Sequence, residues 1–146
     1  METLVRKAQP ADFEEVHSLI KAFAHFIGTP ETVRITTEQM RRDKDHFHCF
    51  IAEDRGRIIG FATYFIAYYS WTGKAVYLDD LYVLEDHRGQ GIGTTLFDAV
   101  KQEGQALDCV KMRWQVSNWN HKARAFYESK GAQIDEVEIN CDLVLT

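Results

Sequence analysis

The sequence predicts a mixed α/β fold, an α+β or α/β sandwich of about seven strands flanked by about four helices. Three observations carry this expectation. Strand-periodic and helix-periodic segments alternate at both ends of the chain, a long strand meander fills the middle, and a glycine-rich turn joins a late strand directly to a helix. At 146 residues, without repeats, linkers or low-complexity tracts, the expectation is one domain over residues 1–146.

Each element has a local reason. Residues 3–7 read as a short first strand. Asp12-Phe13-Glu14-Glu15 resembles a capping box and opens a helix whose apolar face is Phe13, Val16, Ile20, Phe23 and Ile27, ended by Gly28. Thr36-Thr37-Glu38-Gln39 starts a second, more polar helix. Residues 47–53 and 58–69 are strands joined in a hairpin at Asp54-Arg55-Gly56-Arg57. A second turn, Ser70-Trp71-Thr72-Gly73, leads into a strand over residues 74–83. Residues 91–103 form a helix with Ile92, Leu96, Ala99 and Val100 inward, and residues 109–116 a strand. Residues 117–130 hold a helix stopped at Gly131, and residues 137–145 supply one or two closing strands.

Composition narrows the function classes. Hydrophobic residues make up 45% and charged residues 27%, as in an ordinary globular protein. A formal net charge of −5 gives nucleic-acid binding little electrostatic support and favours a cationic substrate. No apolar run approaches membrane-spanning length, and the first residues do not read as a signal peptide. Cys49, Cys109 and Cys141 are odd in number and lack metal spacing, which reads as reduced thiols. The expectation is a cytoplasmic protein with no membrane, nucleic-acid or metal partner. His46 and His48 form an H-x-H pair with no third ligand nearby in sequence.

The glycine turn is the most informative stretch. Glycines at 89, 91 and 93 free the backbone just where a helix begins, and helix N-termini present unpaired N–H groups to anions. A dinucleotide fingerprint counted from Gly89 would need glycine at Thr94 and would follow the first strand, and no Gly-Lys-Ser/Thr ending marks a P-loop. With Tyr77-Leu78-Asp79-Asp80-Leu81-Tyr82-Val83 ahead of it, the set Arg88, Gly91 and Gly93 resembles the acetyl-CoA motif of the GNAT N-acetyltransferases, Q/R-x-x-G-x-G/A. Downstream, Asn120, Ala123, Phe126, Tyr127 and Gly131 resemble that family's N-x-x-A-x-x-F-Y-x-x-x-G. The resemblance runs from Val5 to about Ala132. Tyr68-Tyr69-Ser70-Trp71-Thr72-Gly73-Lys74 and Tyr77-Leu78-Asp79-Asp80 look most like the diamine (spermidine/spermine) and thialysine N-acetyltransferase branch, with two departures. Tyr69 stands where the branch's polyamine enzymes carry an acid, and Asp79 where they carry glutamate.

The resemblance implies a GNAT fold with a mixed, mostly antiparallel twisted sheet, acetyl-CoA as cosubstrate, and a homodimer. It also implies a cofactor site. Backbone N–H groups of Leu81, Tyr82 and Val83 would pair with the pantetheine arm. Arg88, Gly89, Gln90, Gly91, Ile92, Gly93 and Thr94 would hold the pyrophosphate. Asn120 and Ala123 would lie against the cofactor. Tyr127 would be the general acid for the departing thiolate, although helical periodicity equally allows a core tyrosine.

The residues also carry chemistry of their own. An alkyl ammonium has a pKa of about 10.4, so acetyl transfer to it needs a proton acceptor. Asp79, one methylene shorter than glutamate, is the candidate proton path through a water. Asp80 is the candidate for holding the ammonium. Adjacent strand residues point to opposite faces, so at most one faces the substrate unless a bulge intervenes. Trp71 and Tyr69 are candidates for an aromatic substrate wall, because aromatic faces attract cationic amines. The expected activity is acetyl transfer to a primary amine of a small molecule by direct attack. The rivals are a protein lysine or N-terminal acetyltransferase, and a CoA-binding module without catalysis.

Overall fold

A computed structural model describes residues 3–146, arranged as two compact units, one running to Trp114 and one spanning Gln115–Thr146. The first unit contains, in chain order, β1 (Thr3–Lys7), α1 (Phe13–Phe26), α2 (Thr37–Arg42), β2 (His48–Asp54), β3 (Arg57–Tyr69), β4 (Gly73–Val83), α3 (Ile92–Ala106) and β5 (Lys111–Trp114). The strands form one sheet in sequence order. Neighbours are antiparallel from β1 to β4, and β5 joins β4 in parallel after the α3 crossover.

Helices on both faces explain why the middle of β3 is continuously apolar rather than alternating. Phe13, Val16 and Leu19 of α1 pack with Ile51, Phe61 and Tyr82 in one core cluster. On the opposite face Leu96 and Val100 of α3 are fully buried, as is Val76 of β4. Burying side chains of this size stabilises the fold by about 1.5–3 kcal/mol each.

The caps are only partly as the sequence suggests. Thr36 and Gln39 form the expected reciprocal cap of α2: the Thr36 hydroxyl accepts from the Gln39 N–H at 3.1 Å, and the Gln39 amide oxygen accepts from the Thr36 N–H at 3.0 Å. Asp12 does not cap α1 with its side chain. Arg6 takes that carboxylate instead, at 2.8 and 3.0 Å, and holds it below the usual carboxylate range. Arg6 also binds Glu53 at 2.9 Å, so β1, β2 and the entry to α1 share one guanidinium.

The strand count is five among the described residues, not about seven. Residues 137–145 form no strand, and Val137, Ile139 and Leu143 are exposed. Their alternation suits a strand, but the unit they belong to contains no other strand to pair with. That second unit is built on α4 (His121–Ser129), which ends before Gly131 as expected.

α3 sits tightly against β4 where Gly104 meets Val76: a Cβ on Gly104 would lie 2.5 Å from Val76 Cγ1. Gly104→Ala should therefore lower stability by about 1–3 kcal/mol through overpacking, read from the urea midpoint. Adding Val76→Ala should restore part of that loss; additive losses would refute the contact as its cause.

Candidate active site

The glycine turn follows β4 directly. A short 3-10 turn over Glu85–His87 leads to Gly89 and Gly91, both left-handed with φ of 78° and 80°. Gly91 is the N-cap of α3 and contributes no side-chain cap, so the first-turn N–H groups at Ile92, Gly93 and Thr94 are left without an intrahelical acceptor. Ile92 buries its side chain in the core and can offer only its backbone. Arg88 is exposed yet braces the turn. Its Nε donates to the Val83 carbonyl at 2.9 Å, and its guanidinium lies 4.4 Å from the centre of the Phe26 ring and 5.5 Å from that of Tyr82. Phe23 stacks on Tyr82 at 5.1 Å, which ties the end of α1 to the turn. Nothing in the spacing of Phe23 and Phe26 announces this aromatic clamp.

β4 and β5 pair only between Ala75 and Leu78 on one side and Lys111 and Trp114 on the other. Beyond Leu78 no described strand covers that edge of β4, so the backbone of Leu81, Tyr82 and Val83 keeps one side unpaired by the sheet.

The acid pair sits on a β-bulge. Thr63 is opposite Asp80 and Tyr64 is opposite Leu78, so Asp79 is the extra residue of β4. The register fixes the consequence. Tyr77 lies across from Phe65 and Tyr82 across from Phe61, on the sheet face that carries α1. Asp79 follows Tyr77 by two and Asp80 precedes Tyr82 by two, so both carboxylates fall on that same face. The alternation expected for two adjacent strand residues is broken here by the inserted residue. Thr63 stabilises the bulge: its buried hydroxyl accepts from the Asp80 N–H at 3.1 Å.

Asp79 and Asp80 line a cavity of about 260 Å³ with Thr63, Phe65, Phe47 and His46. Burial, reinforced by the neighbouring Asp79 charge, pushes Asp80 up to about 6. Asp79 lies at the exposed rim and is also raised by burial. The neighbouring charge adds to burial at Asp80, so Asp80 holds its proton toward neutral pH. Among the described residues no three His, Cys, Asp or Glu side chains gather as metal ligands.

The aromatic candidates lie elsewhere. Trp71 stands at the β3–β4 turn and is 97% exposed. Tyr69 is partly buried, with Lys111 Nζ at 4.5 Å and Arg113 Cζ at 4.6 Å from its ring centre. Neither aromatic lines the cavity with the acids. Phe65 stacks on Tyr77 at 4.7 Å between them and the acid pair.

In the second unit, Asn120 caps α4, its side-chain oxygen accepting from the Ala123 N–H at 3.1 Å. Tyr127 follows Ala123 by four residues and so shares its helix face. The Tyr127 phenol is raised by burial and keeps its proton at neutral pH.

Thr63→Val should leave the Asp80 N–H without its acceptor and lower stability by about 1–3 kcal/mol, measured by denaturation. Asp80→Asn should act in the other direction. Asp80 binds its proton more tightly when folded, so its ionisation opposes folding as the pH rises from about 4 through about 6. At pH 8 the variant should melt about 3–5 °C above the parent, and the gain should vanish near pH 4. A pH-independent difference would contradict the assignment.

The chain has known relatives. The sequence profile of the Acetyltransferase (GNAT) family matches residues 13–132. The chain is 34% identical over 143 residues to the thialysine N-epsilon-acetyltransferase of Mus musculus, covering 90% of this chain and 84% of that protein. It is 33% identical over 139 residues to the spermidine/spermine N(1)-acetyltransferase-like protein 1 of Homo sapiens, covering 88% of this chain and 20% of that one. A solved aminoglycoside N-acetyltransferase in complex with CoA superposes with a TM-score of 0.73 at 24% identity, covering 97% of this chain and 95% of the other. With the matched profile spanning most of its length, the chain belongs to the acetyltransferase (GNAT) family and is an acetyl-transferring enzyme.

Proposed function

We propose that the protein moves an acetyl group from acetyl-CoA to a primary amine of a small molecule by direct attack. The observation that carries this reading is the bulge that turns Asp79 and Asp80 into one cavity beside a strand edge that no described strand pairs. The cavity, about 260 Å³, suits a small acceptor better than a folded protein surface. The similarity to enzymes named for thialysine and spermidine/spermine points to the same class.

The chain's residues fit acetyl-CoA. The uncapped N-terminus of α3 and the open turn at Gly89 and Gly91, where a Cβ would meet nothing within 4 Å, accept a pyrophosphate. The free edge at Leu81, Tyr82 and Val83 offers backbone partners to an extended pantetheine arm. When bound, the thioester supplies an activated acetyl group. Arg88 serves this site by bracing the turn through Val83 and Phe26.

The acid pair receives the proton that the acceptor ammonium must lose. Asp79 at the rim reaches the incoming amine, through a water where the short side chain falls short. Asp80, ionised above about 6, holds the positive charge and shares the proton. By the family motif they match, Tyr127 is the proposed proton donor to the departing sulfur, and Asn120 and Ala123 are proposed cofactor contacts.

Purified protein incubated with acetyl-CoA and a panel of small amines should release CoA with at least one of them; binding of CoA without turnover on any amine would refute the reading. kcat/KM should fall below pH about 6 as the carboxylate pair takes up its proton, and Asp80→Asn should abolish or displace that limb. Tyr127→Phe should lower kcat by about 10–100-fold with little change in acetyl-CoA affinity. Unchanged turnover would remove the acid role.

A further inference from the structure

The face that presents the acid pair also presents an unneutralised basic pair. Lys111 and Arg113 of β5 pair in register with Ala75 and Tyr77 of β4, so their side chains share the face of Tyr77, Asp79 and Asp80. β4 is small there, with Gly73 and Ala75, which lets the Tyr69 ring cross from β3 to reach both cations. Two like charges within about 5 Å of one ring centre repel each other. Among the described residues neither makes an ion pair with a carboxylate, and the ring face compensates them only in part. Arg113 is exposed and Lys111 partly so, which leaves room for an anion over the ring.

The spacing relates the two pairs. Measured along the backbone, Arg113 stands beside Tyr77 and Asp79 lies two residues further along β4, an advance of about 7 Å, while the two cationic heads rest over Tyr69. Tyr77 joins the ends: its phenol, raised first by burial, also feels Tyr69 and Asp79 raising it and Arg113 lowering it. An extended lysine-sized chain separates its amine from its carboxylate by a similar length. Phe65, stacked on Tyr77, gives the intervening methylenes an apolar floor.

We infer that Lys111 and Arg113, mounted on Tyr69, form a carboxylate-binding subsite, and that the acceptor is an amino acid with a side-chain amine rather than a simple diamine. The inference rests on the small-amine reading above and selects within it. The acid pair takes the amine end, and the basic pair takes the carboxylate.

The test compares lysine and ornithine with their decarboxylated counterparts, 1,5-diaminopentane and 1,4-diaminobutane, using acetyl-CoA and the full chain. The parent enzyme should favour each amino acid by about tenfold or more in kcat/KM. Lys111→Gln with Arg113→Gln should erase that ratio, mainly by raising KM for the amino acid. Arg113→Lys, which keeps the charge, should retain part of it. Acetylation of the diamines in preference to the amino acids would overturn the subsite and leave the small-amine reading standing. No turnover of either class would overturn both. A double variant that loses activity on both classes equally, or that keeps the parent's preference, would also overturn it, the first as the mark of a structural role.

Discussion

The inserted residue at Asp79 is the constraint on which the site depends. A regular β4 would send one of two adjacent carboxylates toward α3, where Leu96 and Val100 are fully buried and an ion would have no partner. The bulge keeps the apolar register intact on both sides of itself. Tyr77 still meets Phe65 before it, and Tyr82 still meets Phe61 after it. Shifting the register by one over the whole strand would have turned the core outward; one extra residue changes the direction of a single side chain. Thr63 makes this possible from inside the sheet, because its hydroxyl receives the Asp80 N–H where the regular ladder is interrupted.

Stability and chemistry are shared by the same elements. α3 buries Ile92, Leu96 and Val100 against the sheet, and that anchoring aims its uncapped N-terminus outward beside the turn. The clamp of Arg88, Phe26, Tyr82 and Phe23 fixes the same turn from the other side of the sheet, so the anion-facing backbone is held at both ends. Arg88, which the motif assigns to phosphate contact, also braces the turn: its Nε binds a carbonyl and its guanidinium lies over two rings.

Most of the architecture was legible in the sequence because it rests on periodicity and punctuation. The β3 run, the glycine turn, the Thr36 cap and the stop before Gly131 each have local causes. What was not legible depends on partners distant in sequence. Two adjacent aspartates carry no sign of a bulge, since it is the pairing with Thr63 and Tyr64 that defines the extra residue. Asp12 has the look of a cap, but Arg6 and Glu53 compete for the geometry. The alternation across residues 137–145 reads as strand, yet a strand needs a ladder partner that local sequence does not provide. Lys111 and Arg113 look like ordinary surface charges until the α3 crossover lays β5 parallel to β4 and sets them over Tyr69.

Net charge is a poor guide to what such a face recognises. A chain of −5 suggests a cationic ligand, and the acid pair alone would agree. Potential near a surface is set by the closest groups, since charges further off than about 8–10 Å are largely screened at physiological salt. β4 and β5 place two carboxylates and two cations on one face, spaced along a strand. A diamine would meet attraction at one end of this face and repulsion at the other. A molecule with an amine at one end and a carboxylate at the other would meet attraction at both, and under the proposed subsite the departure at Tyr69 takes part in the selection. An acid at that position would have neutralised Lys111 and Arg113, whereas the aromatic ring holds them in place and leaves their charge available.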